Sequence, residues 1–226
     1  MTNLTIQEEV HIPIGPVTLT GNLAVPENAK GLVIFSHGSG SSRLSARNQF
    51  VAEHLQRSAF GTLLFDLLTP EEDQRQDNRF DITLITQRLI EATNFVLKDS
   101  RLTNYNVGYF GASTGAAAAL GAAAALGDIV KAVVSRGGRP DLADAVLPDV
   151  QSPTLLIVGG LDEEVVDLNR QAQDRLQCLK DVEIVPDATH LFEEPGALEM
   201  AAQLATDWFR KYLQPSKQHP LQQNQP

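Results

Sequence analysis

The chain is short of several things, and each shortage removes a class of protein. Among its 226 residues there is one cysteine, Cys178. No internal disulfide framework can form, and that suits a reducing compartment, so a cytoplasmic protein is expected. Five histidines and one cysteine show no metal-ligand spacing, so neither a metal nor a cofactor is expected. Basic residues are in deficit: 18 Lys and Arg against 28 Asp and Glu leave a formal net charge of -10. That argues against nucleic acid or an anionic membrane as a partner held by bulk electrostatics. A local basic patch can still survive in such a protein.

Long apolar runs are also scarce. Only Val107–Gly127 extends for about 20 residues without a charge, the length of a membrane span. Most of it is Ala and Gly, with Tyr109, Ser113 and Thr114 included, so its transfer into lipid is weak and no membrane association is expected. The N-terminal MTNLTIQEEVHIP has no basic start followed by an apolar core, unlike a secretory signal.

What is present is ordinary for a globular protein: 42% hydrophobic and 20% charged residues. The length fits one α/β domain, assigned to residues 1–214. The remainder, PSKQHPLQQNQP at 215–226, is polar and proline-containing and reads as a disordered tail.

Leu4–Ile14 and Val17–Val25 read as an opening antiparallel hairpin turned by Gly15-Pro16. Short, mostly apolar strands then follow at Leu32–Ser36, Thr62–Asp66, Val107–Phe110, Ala132–Ser135, Thr154–Val158 and Val182–Val185. Such runs suit parallel strands covered on both faces. Helical periodicity fills the gaps over Ala46–Ser58, Ile82–Leu97, Ala116–Leu126, Val165–Leu179 and Gly196–Leu213. Alternating strand and helix specifies a mostly parallel sheet of about eight strands with helices on both faces. The charged stretch TPEEDQRQDNRF at 69–80 reads as a mobile surface loop. Only about 18 residues separate the sixth and seventh strands, too few for a lid domain with its own core.

The chemistry is carried by Gly111-Ala-Ser-Thr-Gly115, a G-x-S-x-G pattern between a strand and a helix. A serine on so sharp a bend needs small neighbours two residues away on each side. The bend aims its oxygen at the helix N-terminus, where a developing anion is favoured. Alone, the five residues could equally be a tight βα turn. Partners downstream in the right order decide for a nucleophile, because a reactive serine needs a base and the base an orienting carboxylate. TLLIVGG runs into Leu161-Asp162, and VEIVP is followed by Asp187-Ala-Thr-His190. Both segments therefore leave the carboxyl edge of the sheet, as Ser113 does. Ser113 is the candidate nucleophile, His190 the base and Asp162 its orienter. The second shell of expectations is an oxyanion site built from two amides. Thr114 follows the nucleophile, and Ser39 lies in the glycine-rich Ser36-His-Gly-Ser-Gly40 segment after the third strand. His37 reads as bonded to backbone and not catalytic.

With those motifs in order, the chain resembles an α/β-hydrolase, and within that fold it is similar to the dienelactone hydrolase (carboxymethylenebutenolidase-like) family. HGSGSS, GASTG, GGLDEEV and ATHLF carry the resemblance across nearly the whole chain. It implies a three-layer α/β-hydrolase sandwich without a lid domain, acting on a small ester or lactone. One departure stands out: the family's namesake enzymes use a cysteine nucleophile, whereas this chain has Ser113, and Cys178 is expected within a helix. Three arginines are candidates for substrate binding at the same edge. Arg136 and Arg139 follow the sixth strand, and Arg43 follows the oxyanion segment; a guanidinium there could hold a substrate carboxylate. The expected function is a serine hydrolase working through an acyl-enzyme on a small-molecule substrate. A thioesterase or acyl peptidase with the same triad, or a silent binding protein of this fold, are the other readings, and the oligomeric state is left open.

Overall fold

A computed structural model describes residues 2–214. The tail expected at 215–226 lies outside the described residues. The element order is β1 (Leu4–Ile14), β2 (Val17–Pro26), β3 (Leu32–Ser36), α1 (Ala46–Arg57), β4 (Gly61–Phe65), α2 (Pro70–Asp73), α3 (Gln76–Phe80), α4 (Ile82–Lys98), β5 (Val107–Ala112), α5 (Thr114–Leu126), β6 (Val130–Arg136), β7 (Thr154–Gly159), α6 (Glu163–Arg175), β8 (Lys180–Val185) and α7 (Ala197–Tyr212). A 3-10 segment, Pro140–Asp149, joins β6 to β7.

The eight strands form one sheet in the order β1-β2-β4-β3-β5-β6-β7-β8. The β1–β2 hairpin is antiparallel and attaches to β4, and every pairing from β4 onward is parallel. Burial follows position. β3, β4, β5 and β7 are buried at every residue, because helices cover both faces. The outer strands β1 and β8 keep exposed residues.

Two apolar layers sandwich the sheet. One packs α4 and α5 against Ile34, Tyr109 and Val133, with the 3-10 segment and α6 alongside. The other packs α1 and α7 against Phe35, Phe110, Val134 and Ile157. The alanine run is explained here. Ala116 to Ala119, Ala122 and Ala123 are fully buried, so α5 lies tight on the sheet and only methyl groups fit. The uncharged stretch 107–127 is thus a strand followed by a 13-residue helix, and among the described residues no helix is long and apolar enough to cross a membrane.

Two local expectations change. The stretch 69–80 is not a free loop but two short helices. Thr69 caps the first through a reciprocal capping box with Glu72. Arg88 of α4 then grips Glu72 at 2.7 Å, and Arg79 grips Asp73 at 2.8 Å. Its charges pair with one another and with α4, which is why a polar stretch is ordered. Cys178, expected in a helix, lies beyond the end of α6, half-buried, with its Sγ 3.8 Å from Thr154 Oγ1.

Candidate active site

All the strands that end near the site are parallel, so their following loops share one edge of the sheet. Ser113 sits between β5 and α5 with φ 50 and ψ -121, a backbone that L-residues rarely adopt. Such strain costs about 1–3 kcal/mol and persists only where the surroundings enforce it. Here they do. A Cβ on Gly115 would stand 2.1 Å from the Ser36 carbonyl oxygen, and one on Gly111 would stand 2.5 Å from Ala116 Cα. The bend is therefore clamped between β3 and the first turn of α5. Backbone bonds hold the serine from the other side: its N–H donates to Arg136 O at 3.3 Å, and its carbonyl accepts from Arg139 N–H at 3.1 Å. Among the described residues its hydroxyl has no hydrogen-bond partner.

Asp162 occupies the position just before α6, yet its side chain does not cap the helix. Its Oδ2 instead accepts a bond from His190 Nδ1 at 2.7 Å. A carboxylate can only accept, so Nδ1 carries the proton and Nε2 is left with a lone pair, the tautomer a general base needs. The loops that bring the two together are themselves joined, Leu161 N–H donating to Ala188 O at 2.9 Å. The His190 loop turns through two left-handed residues, Asp187 (φ 58) and Phe192 (φ 57). Glu194 staples it by accepting from Thr189 N–H at 3.1 Å and from Thr189 Oγ1 at 2.6 Å. Those bonds hold the Glu194 carboxyl below its ordinary range. Segment Arg136–Arg139 touches both halves of the site, since Gly137 lies against the carbonyl and Nδ1 of His190 while its neighbours bond Ser113.

The loop after β3 packs over Ser113. A Cβ on Gly38 would be 3.0 Å from Ser113 Cβ and 3.8 Å from its Oγ. His37 is buried behind it. Its Nε2 accepts from Leu67 N–H at 3.0 Å, so Nδ1 bears the proton and donates to Gly38 O at 3.0 Å. Burial pushes this imidazole below its ordinary value, and as a neutral brace it fixes the loop. Ser39 N–H, one expected oxyanion donor, donates to Thr114 Oγ1 at 2.9 Å. Thr114 is the other expected donor, and as the first residue of α5 its N–H has no intrahelical acceptor. The Ser39 amide is thus tied to the Thr114 side chain, a contact that the five-residue motif does not announce.

The three arginines differ. Arg43 is held by Asp66, with Nη1 2.5 Å from Oδ2, and also reaches Glu9. Arg139 forms a two-pronged pair with Asp141 at 2.8 and 2.7 Å. Among the described residues, Arg136 makes no such pair. Ser39 and Gly40, together with Ser45, Arg47 and Asp73, line an open cavity of 550 Å³ beside the site. A hollow of 610 Å³ between the β1–β2 hairpin and α1 lies away from these loops.

The order of the sheet, the bend at Ser113 and the loops at its carboxyl edge define the α/β-hydrolase fold class. Solved structures agree: Est1E from Butyrivibrio proteoclasticus superposes with a TM-score of 0.78 at 15% identity, covering 90% of this chain and 98% of that one. The chain belongs to the dienelactone hydrolase family, whose model matches residues 19–216. A dienelactone hydrolase from Anabaena variabilis is 52% identical with a TM-score of 0.90, covering 92% of this chain and 99% of that one. A Mycobacterium tuberculosis protein named "Putative phosphoribosyl transferase" is 55% identical over 206 residues, 91% of this chain and 46% of its own length. The chain thus spans about half the length of the curated relatives it matches.

Proposed function

We propose that the chain is a serine hydrolase that cleaves a small carboxylic ester or lactone through an acyl-enzyme. The observation that carries this reading is the 2.7 Å bond from His190 Nδ1 to Asp162, at the same edge where Ser113 is held on a strained bend. In the first step Ser113 Oγ attacks the carbonyl carbon and its proton passes to His190 Nε2. The resulting oxyanion is met by the Thr114 and Ser39 amides, the latter shared with or released from the threonine hydroxyl. Collapse expels the alcohol, or the ring oxygen of a lactone, which takes the proton back from His190. Water then attacks the acyl-enzyme with His190 again as base, and the acid leaves. The free Ser113 hydroxyl must turn toward His190 for this chemistry, and catalytic hydrogen bonds of this kind tighten when substrate binds.

Family membership supports hydrolysis. The transferase name is carried by proteins of which more than half lies outside the match, so it is not transferred to this chain. The test is turnover of short-chain 4-nitrophenyl esters and simple lactones, set beside matched thioesters and amides. Wild-type protein is expected to hydrolyse the esters, and Ser113→Ala to lose roughly 10³-fold or more in kcat. Equal rates for the two proteins would refute the reading, and faster cleavage of thioesters or amides would reassign the substrate class.

A further inference from the structure

Asn169 is the odd member of the buried face of α6. Val165, Val166 and Ala172 fill the rest of that face with apolar groups, whereas Asn169 is polar and fully enclosed. Its Nδ2 donates to Val165 O at 2.8 Å and to Gly138 O at 3.0 Å. Its Oδ1 is enclosed and has no hydrogen-bond partner among the described residues. A buried amide with an unmet acceptor is destabilising, and an apolar side chain would fill the same space without that penalty. Val165 O lies one turn back on the same helix, so it gives no reason for an amide here. The bond that leaves α6 is the one to Gly138, 31 residues away. Gly138 is the centre of the segment that holds Ser113. On either side of it, Arg136 O and Arg139 N–H grip the serine's N–H and carbonyl. Gly137, left-handed at φ 51, donates to Ile157 O at 2.8 Å and backs onto His190. A Cβ on Gly138 would stand 2.0 Å from Ser135 Oγ and 2.7 Å from Ala116 Cβ, so this backbone is pressed against β6 and α5.

We propose that Asn169 is a positioning residue that sets Ser113 and the Asp162–His190 pair at their working separation, a role that rests on the hydrolase reading. Asp162 stands just before α6, and Asn169 follows about two turns later, so both lie on one face of one helix. At the end of that face Asp162 holds His190, and farther along it Asn169 holds the segment that carries Ser113. The helix is the rigid spacer between the two contacts. Without the bond to Gly138, the segment keeps its ties to Ser113 but loses its hydrogen bond to α6. The serine can then drift relative to His190. A misplacement of about 1 Å, caused far from the chemistry, can lower a rate on the order of 100-fold. The hydrogen bonds of Asn169 reach neither Ser113 nor His190, so it acts through Gly138.

The test sets Asn169→Leu, which keeps the bulk and removes the donor, beside Ser152→Ala. Ser152 is the matched control: its buried Oγ donates to a backbone carbonyl, Val130 O at 2.7 Å, at the opposite edge of the sheet. Both substitutions should lower Tm. On a 4-nitrophenyl ester, well below either Tm, Asn169→Leu should lower kcat by roughly 10- to 100-fold with KM changed less than about twofold. Ser152→Ala should leave kcat unchanged. Hydrogen–deuterium exchange, read by peptide mapping, needs no turnover. In Asn169→Leu, the segment 136–139 and the His190 loop at 187–192 should both exchange faster, and in Ser152→Ala neither should. Should Asn169→Leu fail to fold, Asn169→Ser, whose hydroxyl is too short to reach Gly138 O, takes its place. Three results on an active wild type overturn the positioning role and leave the hydrolase reading standing. They are a kcat loss below tenfold, a loss carried by KM, or an equal loss in Ser152→Ala. A wild type that turns over no ester removes the hydrolase reading, and exchange then decides. Faster exchange at both segments upholds Asn169 as the tie between them; faster exchange at 136–139 alone, or at neither, overturns it.

Discussion

Arg136, the last residue of β6, and Arg139, three residues further on, are treated in opposite ways. Arg139, partly exposed, is clasped by the carboxylate of Asp141; Arg136, almost wholly enclosed, meets no carboxylate among the described residues. The same division runs through the whole site. His37, Asp162 and the backbone of Ser113 are hydrogen-bonded, whereas among the described residues the Ser113 hydroxyl and the Nε and Nη1 of Arg136 have no partner. Groups that the fold satisfies hold the geometry, and the Ser113 hydroxyl, which it leaves unbonded, is the group free to react in the proposed chemistry. Substitutions should therefore separate: the first kind costs stability or positioning, the second costs chemistry with the fold intact.

The largest expected effect tests positioning. Asp162→Asn keeps the shape but replaces an acceptor-only carboxylate with an amide that can also donate, so the His190 tautomer is no longer set, and kcat should fall by about 10⁴-fold with little change in Tm. A loss below tenfold would detach Asp162 from the site. Next comes the buried brace. His37→Ala leaves Leu67 N–H unpaired in the interior and should cost about 1–3 kcal/mol in urea unfolding. His37 also predicts a pH effect of definite sign. Its folded value lies below the ordinary 6.5, so on acidification the unfolded chain takes up a proton that the folded chain refuses. Stability is complete above 6.5 and falls as the pH drops below it, by at most about 1.4 kcal/mol per pH unit from this group. Urea melts at neutral and mildly acid pH should show a shallower fall in His37→Gln than in wild type.

A smaller effect of opposite sign is expected at Ser113. Ser113→Gly accepts φ 50 without strain and should raise stability by about 1 kcal/mol while abolishing turnover. Ser113→Ala, which keeps the Cβ, should not show that gain. The smallest effect belongs to the paired arginine. Arg139→Ala removes a partly exposed ion pair and should cost less than about 1 kcal/mol. A loss well above that would break the contrast between the two arginines.

How much of this was readable in the chain depends on whether a feature is local. Parallel strands such as LVIFS and TLLIVG announce themselves because burial on both faces demands unbroken apolar runs. Ser113 and Asp162 were legible because each follows such a strand, and His190 because it follows the β-branched edge strand β8; the topology sends all three to one edge. The roles of the arginines were not. Whether Arg43, Arg136 or Arg139 is neutralised depends on which acid the fold places beside it, and no spacing rule states that Arg43 meets Asp66, 23 residues away. The ordered helices over 70–80 were missed for the same reason, since their anchor, Arg88, lies on the following helix. The bond from Ser39 N–H to Thr114 Oγ1 spans 75 residues and had no local signal.

The most direct test of the account is covalent labelling of the intact protein by a fluorophosphonate, read by whole-protein mass and then by peptide mapping. Wild-type protein should gain a single adduct on Ser113, slowly in His190→Ala and not at all in Ser113→Ala. An unlabelled wild-type protein, or an adduct mapped to any other residue, would contradict the assignment of Ser113 as the nucleophile.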